Sequence, residues 1–252
     1  MNITIQTYLI VCPLVFLAGF VDAIGGGGGL ISLPAYLIAG LPAHNAVATN
    51  KLSSSLGTTV STARYIKNGH IDYKLGIPGI IASLTGAQIG SRIALLVSDE
   101  AFKIILMVIL PVLALYILLK KDMQPAKENL LPFKLQLAIV IVATFLIGVY
   151  DGFYGPGTGT FLIIAYTALA KMDVLKAGGN TKLSNLTSNI SSLVVFLMSG
   201  TVIIGLGLAA SVFGILGNYL GAGFAIKHGA KGIRYVIIVV IALLFIKILV
   251  DM

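Results

Sequence analysis

Five consecutive glycines, Gly25 to Gly29, interrupt an apolar run in the stretch GFVDAIGGGGGLISLP at residues 19–34. No uninterrupted helix accommodates them: glycine has the most backbone freedom to lose, and each costs a helix interior about 1 kcal/mol relative to alanine. Asp22 stands just before the break, and a second apolar run begins at Leu30. A related pattern recurs at residues 148–161, GVYDGFYGPGTGTF, where Asp151 precedes a Gly-Pro-Gly break. Irregular backbone at membrane depth survives only where protein or a water-filled cavity covers its polar groups. Paired breaks at corresponding places in two halves of a chain therefore point to a transport site.

The membrane setting follows from composition. Only 10% of the 252 residues are charged and 58% are hydrophobic, with a mean hydropathy of +1.01, whereas soluble domains carry about 25% charged residues. An all-α polytopic membrane protein, anchored in a lipid bilayer, is expected. Apolar segments fall at about 8–24, 28–41, 50–66, 74–97, 103–119, 134–153, 158–170, 182–198, 202–226 and 233–250. The net charge of +8 does not indicate a nucleic-acid partner, because the basic residues lie in short loops between apolar runs and act as topology signals. The single cysteine, Cys12, excludes an intrachain disulfide and a cysteine metal cluster. No Lys or Arg precedes Lys51, so the basic start of a signal peptide is missing and the first apolar run is expected to be retained.

The chain also repeats itself at an offset of 129 to 131 residues. Asp22 falls on Asp151, NKLSSS at 50–55 on TKLSNL at 181–186, Asn68-Gly69 on Ser199-Gly200, and GAQIG at 86–90 on GNYLG at 217–221. The last pair has the GxxxG spacing that lets helix backbones approach closely. A first repeat at 1–119, a linker at 120–133 and a second repeat at 134–252 follow, the polar stretch KKDMQPAKENLLPF forming the linker. Equivalent loops carry opposite charge. Arg64, Lys67 and Lys74 occupy the loop at 64–74 while its counterpart at 195–205 is uncharged, and Lys171 and Lys176 face an uncharged loop at 41–49. Loops rich in Lys and Arg stay in the cytoplasm, so the two five-segment repeats are expected to be inverted. The glycine breaks then lie in broken helices or re-entrant hairpins near the midplane. The loops at 64–74, 120–134, 171–176 and 227–234 are cytoplasmic in this arrangement, with both termini outside.

Chemistry concentrates around the breaks. Short helices beginning near Gly28 and Thr158 present N–H groups without intrahelical partners, which favour anions. Lys51 follows Asn50, and Lys182 follows Asn180-Thr181; Ser53 and Ser54, and Ser184 and Asn185, come next, with Thr58 and Asn189 further along. Residues four apart, such as Lys51 and Ser55 or Asn185 and Asn189, share a helix face. The substrate-binding candidates are thus Gly26, Gly27, Gly28, Asn50, Lys51, Ser53, Gly155, Gly157, Thr158, Thr181, Lys182, Ser184 and Asn185. Asp22 and Asp151 are candidates for a coupling proton or other cation. Plainer readings exist for each: lysines that snorkel to the surface, aspartates that cap helices or neutralise those lysines, and glycines that serve helix packing. His44 and His70 read as loop residues without a second ligand at metal spacing, and His228 as solvated surface. No metal or cofactor is called for.

Enzymatic readings find no support. Neither the glycine run nor GPGTGT is followed by the Lys of a phosphate-binding loop, and no G-x-S-x-G or H-E-x-x-H occurs. The residues quoted above, together with ATNKLSSSLGT (48–58), RYIKNGHIDY (64–73) and NTKLSNLTSN (180–189), resemble the sulfite exporter TauE/SafE family, also called the toluene sulfonate uptake permease family. The resemblance spans essentially the whole chain. It implies a secondary transporter, independent of ATP, for small sulfur-containing anions such as sulfite, thiosulfate, sulfoacetate or other organosulfonates, working by alternating access. Two other readings remain: a cation or proton antiporter using Asp22 and Asp151, and a membrane subunit that transports nothing.

Overall fold

The computed structural model describes residues 3–98, 100–101 and 131–250, with side chains up to His228. The expected segment at 103–119 and the linker at 120–133, apart from its last three residues, lie outside these. Every regular element among the described residues is helical: α1 Ile5–Gly25, α2 Gly29–Ile38, α3 Ala43–Lys67, α4 Tyr73–Leu96, α5 Phe133–Phe153, α6 Thr158–Ile164 with a π-turn at Ala165–Leu169, α7 Val174–Met198 and α8 Ile204–Val250. Four are long and apolar enough to cross a membrane: α1, α4, α5 and the Ile204–His228 part of α8. The helices α2 and α6 are the short apolar pieces behind the two breaks, as expected.

Three boundaries differ from the hydropathy reading. Helices α3 and α7 start at Ala43 and Val174, seven or eight residues before the apolar segments, because the polar residues of their second turns are buried rather than looped out. Asn50, Thr49, Asn180 and Thr181 are all at most 7% exposed. His44 is accordingly a first-turn helix residue bonded to the Ala94 carbonyl at 2.9 Å, not a loop residue. Asp173 starts α7 by accepting from the Leu175 and Lys176 amides, and Asp72 does the same for α4. The third difference is α8, which runs through the 227–234 stretch expected to be a loop. Lys and Arg are good helix formers, so charge marks that stretch without breaking it.

Among the described residues, many polar side chains are buried beside three apolar clusters, and large apolar side chains face outward. Ile77, Ile81, Leu84, Val142, Leu146, Leu208, Val212 and Leu216 are 45–63% exposed, an outer surface suited to acyl chains. Interior hydroxyls are absorbed locally: Ser55 donates to the Lys51 carbonyl at 2.7 Å and Ser211 to that of Gly207 at 2.6 Å. Helix α1 packs along α8, and α5 along α4; α3 lies against α8, and α7 against α4. At each GxxxG motif the glycines admit a facing carbonyl. A Cβ at Gly86 or Gly90 would meet the Phe145 or Val149 oxygen, and at Gly217 or Gly221 the Phe16 or Phe20 oxygen. Left-handed residues recur at the repeat offset too: Gly26 and Gly155, Gly40 and Lys171, Gly69 and Gly200.

Candidate functional site

The two breaks meet. Helix α1 ends as Gly26 turns to φ 73° and Gly27 to 86°, and α5 gives way to Gly155 at 101° and Gly157 at 85°. The Gly26 backbone lies directly against Gly159 and Thr160, and the Thr160 hydroxyl donates to the Gly25 carbonyl at 3.2 Å. Backbone therefore fills the space between the breaks. The open volume lies to one side, a polar cleft of ≈ 520 Å³ including its mouth, bounded by α1, both breaks, α3, α7 and α8.

Lys51, on α3, reaches into this cleft while only 2% exposed. Its Nζ donates to Asp151 Oδ2 at 2.7 Å and to Asn189 Oδ1 at 3.0 Å, which uses two of its three N–H donors. Asp151 Oδ1 lies 2.7 Å from the Thr158 hydroxyl, whose single proton also has the Gly155 carbonyl within reach at 2.6 Å. Asn189 in turn donates to Asn185 Oδ1 at 3.2 Å. The equivalent lysine is arranged differently. Lys182 on α7 is 0% exposed; its Nζ is held by the Asp22 backbone carbonyl and by Asp22 Oδ2, the latter at 2.8 Å. Asp22 Oδ1 is approached by the Gly28 amide at 3.4 Å. Each ion pair thus joins one half of the chain to the other, Lys51 to Asp151 and Lys182 to Asp22. A charge inside a membrane protein costs several kcal/mol unless partnered, and both lysines meet that condition internally. Surface snorkelling is excluded.

Of the residues expected from the sequence, Asp22, Gly27, Gly28, Asn50, Lys51, Ser53, Asp151, Gly155, Gly157, Thr158 and Asn185 line the cleft. Gly26, Thr181, Lys182 and Ser184 do not. Gly26 is spent on the contact with Gly159. Thr181 and Lys182 are fully buried, and the Ser184 hydroxyl lies 2.9 Å from that of Tyr166. Tyr36 and Ser53 form the same contact at 2.9 Å in the first half. These tyrosines went unnoticed in the sequence because aromatic residues are scattered through it without pattern. Asn218 also lines the cleft and donates to the Gly214 carbonyl at 3.0 Å. It sits inside GNYLG, where the glycines drew attention to packing; an amide in so apolar a helix was the available signal.

Among the described residues, four helices long and apolar enough to cross a membrane, an apolar outer surface and a charged polar cleft mark a multi-pass membrane protein. Comparison with known proteins specifies it further. The family model for the sulfite exporter TauE/SafE matches residues 11–248, and the chain belongs to that family. Among its relatives, the "Probable membrane transporter protein ORF9" of Sinorhizobium sp is 39% identical over 238 residues, covering 94% of this chain and 90% of the relative. The "Probable membrane transporter protein YfcA" of Escherichia coli K12 is 33% identical over 235 residues, covering 93% and 87%. A "Probable membrane transporter protein" of Haemophilus influenzae is 30% identical over 253 residues, covering 100% and 98%. No solved structure matches the chain.

Proposed function

We propose that the protein is a secondary transporter that moves small sulfur-containing anions, such as sulfite, thiosulfate, sulfoacetate or other organosulfonates, across the cytoplasmic membrane by alternating access. One observation carries the reading: the Lys51 ammonium is buried, lines the cleft, and keeps one donor unspent. Asn50, Ser53, Ser54 and Asn185 line the same space, offering hydroxyl and amide donors to the several oxygens of a trigonal or tetrahedral oxyanion. The family's name supports an anion of the sulfite type.

The architecture that goes with this is a pair of inverted repeats, 1–119 and 134–252, joined by a cytoplasmic linker at 120–133, with both termini outside. The opposite charge of equivalent loops and the matching packing of equivalent helices support it. Rocking one repeat against the other would expose the site to each side in turn.

Flux in proteoliposomes tests the reading. Wild-type protein is expected to move sulfite or an organosulfonate, and Lys51→Ala to abolish movement. If Lys51→Ala leaves flux intact while Asp22→Asn stops it, the ion site is acidic and the antiporter reading replaces this one. Binding gives a second readout. A ligand at ~100 times its Kd adds about 2.7 kcal/mol to apparent stability, so sulfite, thiosulfate, sulfoacetate and methanesulfonate are screened by thermal shift.

A further inference from the structure

The charges around the cleft sum to zero. Lys51 and Asp151 are 2% and 1% exposed, Lys182 is 0% exposed, and the Asp22 side chain is 15% exposed. Among the described residues no other Lys, Arg, Asp or Glu is fully buried. A monoanion entering this space makes the set negative, and an uncompensated buried charge costs several kcal/mol.

From this balance, and resting on the anion reading above, we infer that each anion enters the cleft together with one proton, which Asp151 takes up. The anion needs the Lys51 ammonium, and Asp151 Oδ2 already holds it at 2.7 Å. Two anionic groups cannot share one buried ammonium without one of them losing its charge. The proton comes from bulk water and forms an O–H bond on Oδ2 as that oxygen leaves Lys51. No other bond is made or broken. The Thr158 hydroxyl lies 2.7 Å from Oδ1 and 2.6 Å from the Gly155 carbonyl, which keeps a hydrogen-bonding group beside the neutral carboxyl.

Asp22 is the less suitable acceptor. Its Oδ2 and its backbone carbonyl are both held by Lys182, which does not line the cleft and so is not available to the anion. The surroundings of Asp151 contain little else that titrates. Lys51 faces it from α3 and Thr158 from α6. Asn189 of α7 acts through Lys51, Asp22 of α1 lines the same cleft, and Tyr150 and Tyr154 flank it on its own helix and just beyond. From α4, Ser83, Ala87 and Ser91 pack against the Gly148 and Gly152 backbone beside it.

The bound state holds one proton more than the free state, so binding tightens as pH falls. The full-length chain is titrated in sodium-free, weakly buffered detergent solution with methanesulfonate, or with ethanesulfonate, each a monoanion. Both are fully ionised near neutral pH and neither supply nor absorb the proton. Uptake of about one proton per anion is expected, with Kd falling about tenfold per pH unit below neutrality. Asp151→Asn leaves Lys51 to be neutralised by the anion alone, so that variant should bind with no proton uptake and a flat Kd. If it does not fold, the wild-type proton count together with Asp22→Asn, which should keep the uptake, decides instead. Binding without uptake, binding that requires sodium, or uptake abolished by Asp22→Asn but kept in Asp151→Asn overturns the inference and leaves the anion reading standing. If neither anion binds at any pH, both fall together.

Discussion

Gly26 shows what a single residue holds in place here. Its φ of 73° and ψ of −178° lie in a region open essentially to glycine alone, where another residue is strained by about 1–3 kcal/mol. A side chain there would also run into the Gly159 and Thr160 backbone, adding overpacking of about 1–3 kcal/mol. Gly40 separates the two effects: its φ is 88°, but nothing lies within 4 Å of its would-be Cβ. Gly26→Ala is therefore expected to lower the melting temperature of the detergent-solubilised protein clearly more than Gly40→Ala does. Equal shifts would mean that backbone strain alone matters and that the two breaks do not press on each other. The same contact explains why the glycine run has five members although only two have positive φ. Gly28 and Gly29 are helical or nearly so, and they stay small because Ala18 and Asp22 crowd the one and Pro156 the other.

At the scale of elements, the helices are held by backbone contact more than by side-chain volume. Gly90 sits where a Cβ would overlap the Val149 carbonyl, so Gly90→Val must push α4 away from α5. Gly205, with only the Tyr8 hydroxyl at 3.8 Å, provides the control. Gly90→Val is expected to lose the monodisperse folded peak in size-exclusion chromatography, and Gly205→Val to keep it. The GxxxG spacing was visible in the sequence, and so were the breaks, the short helices behind them and the lysine-serine motif. Which helix faces which glycine was not. A repeat offset identifies equivalent positions but says nothing about which half each one meets, and here Lys51 pairs with Asp151 rather than with Asp22 of its own half. Hydropathy also misplaced the starts of α3 and α7, because it scores Asn and Thr as exposed even where neighbouring helices bury them. Tyr36 and Tyr166 carry no pattern in the sequence, yet both end up against the serine two residues after the lysine.

The whole molecule raises a question that sequence cannot answer in principle: why equivalent residues are not equally placed. Ser53 lines the cleft and Ser184 does not, though they occupy the same position in the motif and make the same contact to a tyrosine. Local chemistry does not separate them. If two inverted halves rock as proposed, one lysine motif is open at a time, and the present conformation is the one that opens the Lys51 side. The opposite conformation would open the Lys182 side, towards the other face of the membrane. Single cysteines test this in a background lacking Cys12, itself buried at 5% exposure. In oriented vesicles, a membrane-impermeant thiol reagent is expected to label Ser53→Cys from one side and Ser184→Cys from the other, with a bound anion slowing both. A ligand shifts such an equilibrium only by its differential affinity for the two states, so conditions that favour one label should disfavour the other. Labelling of both cysteines from the same side would show that the halves do not exchange roles. The asymmetry between Lys51 and Lys182 would then be permanent, with Lys182 and Asp22 a fixed structural pair.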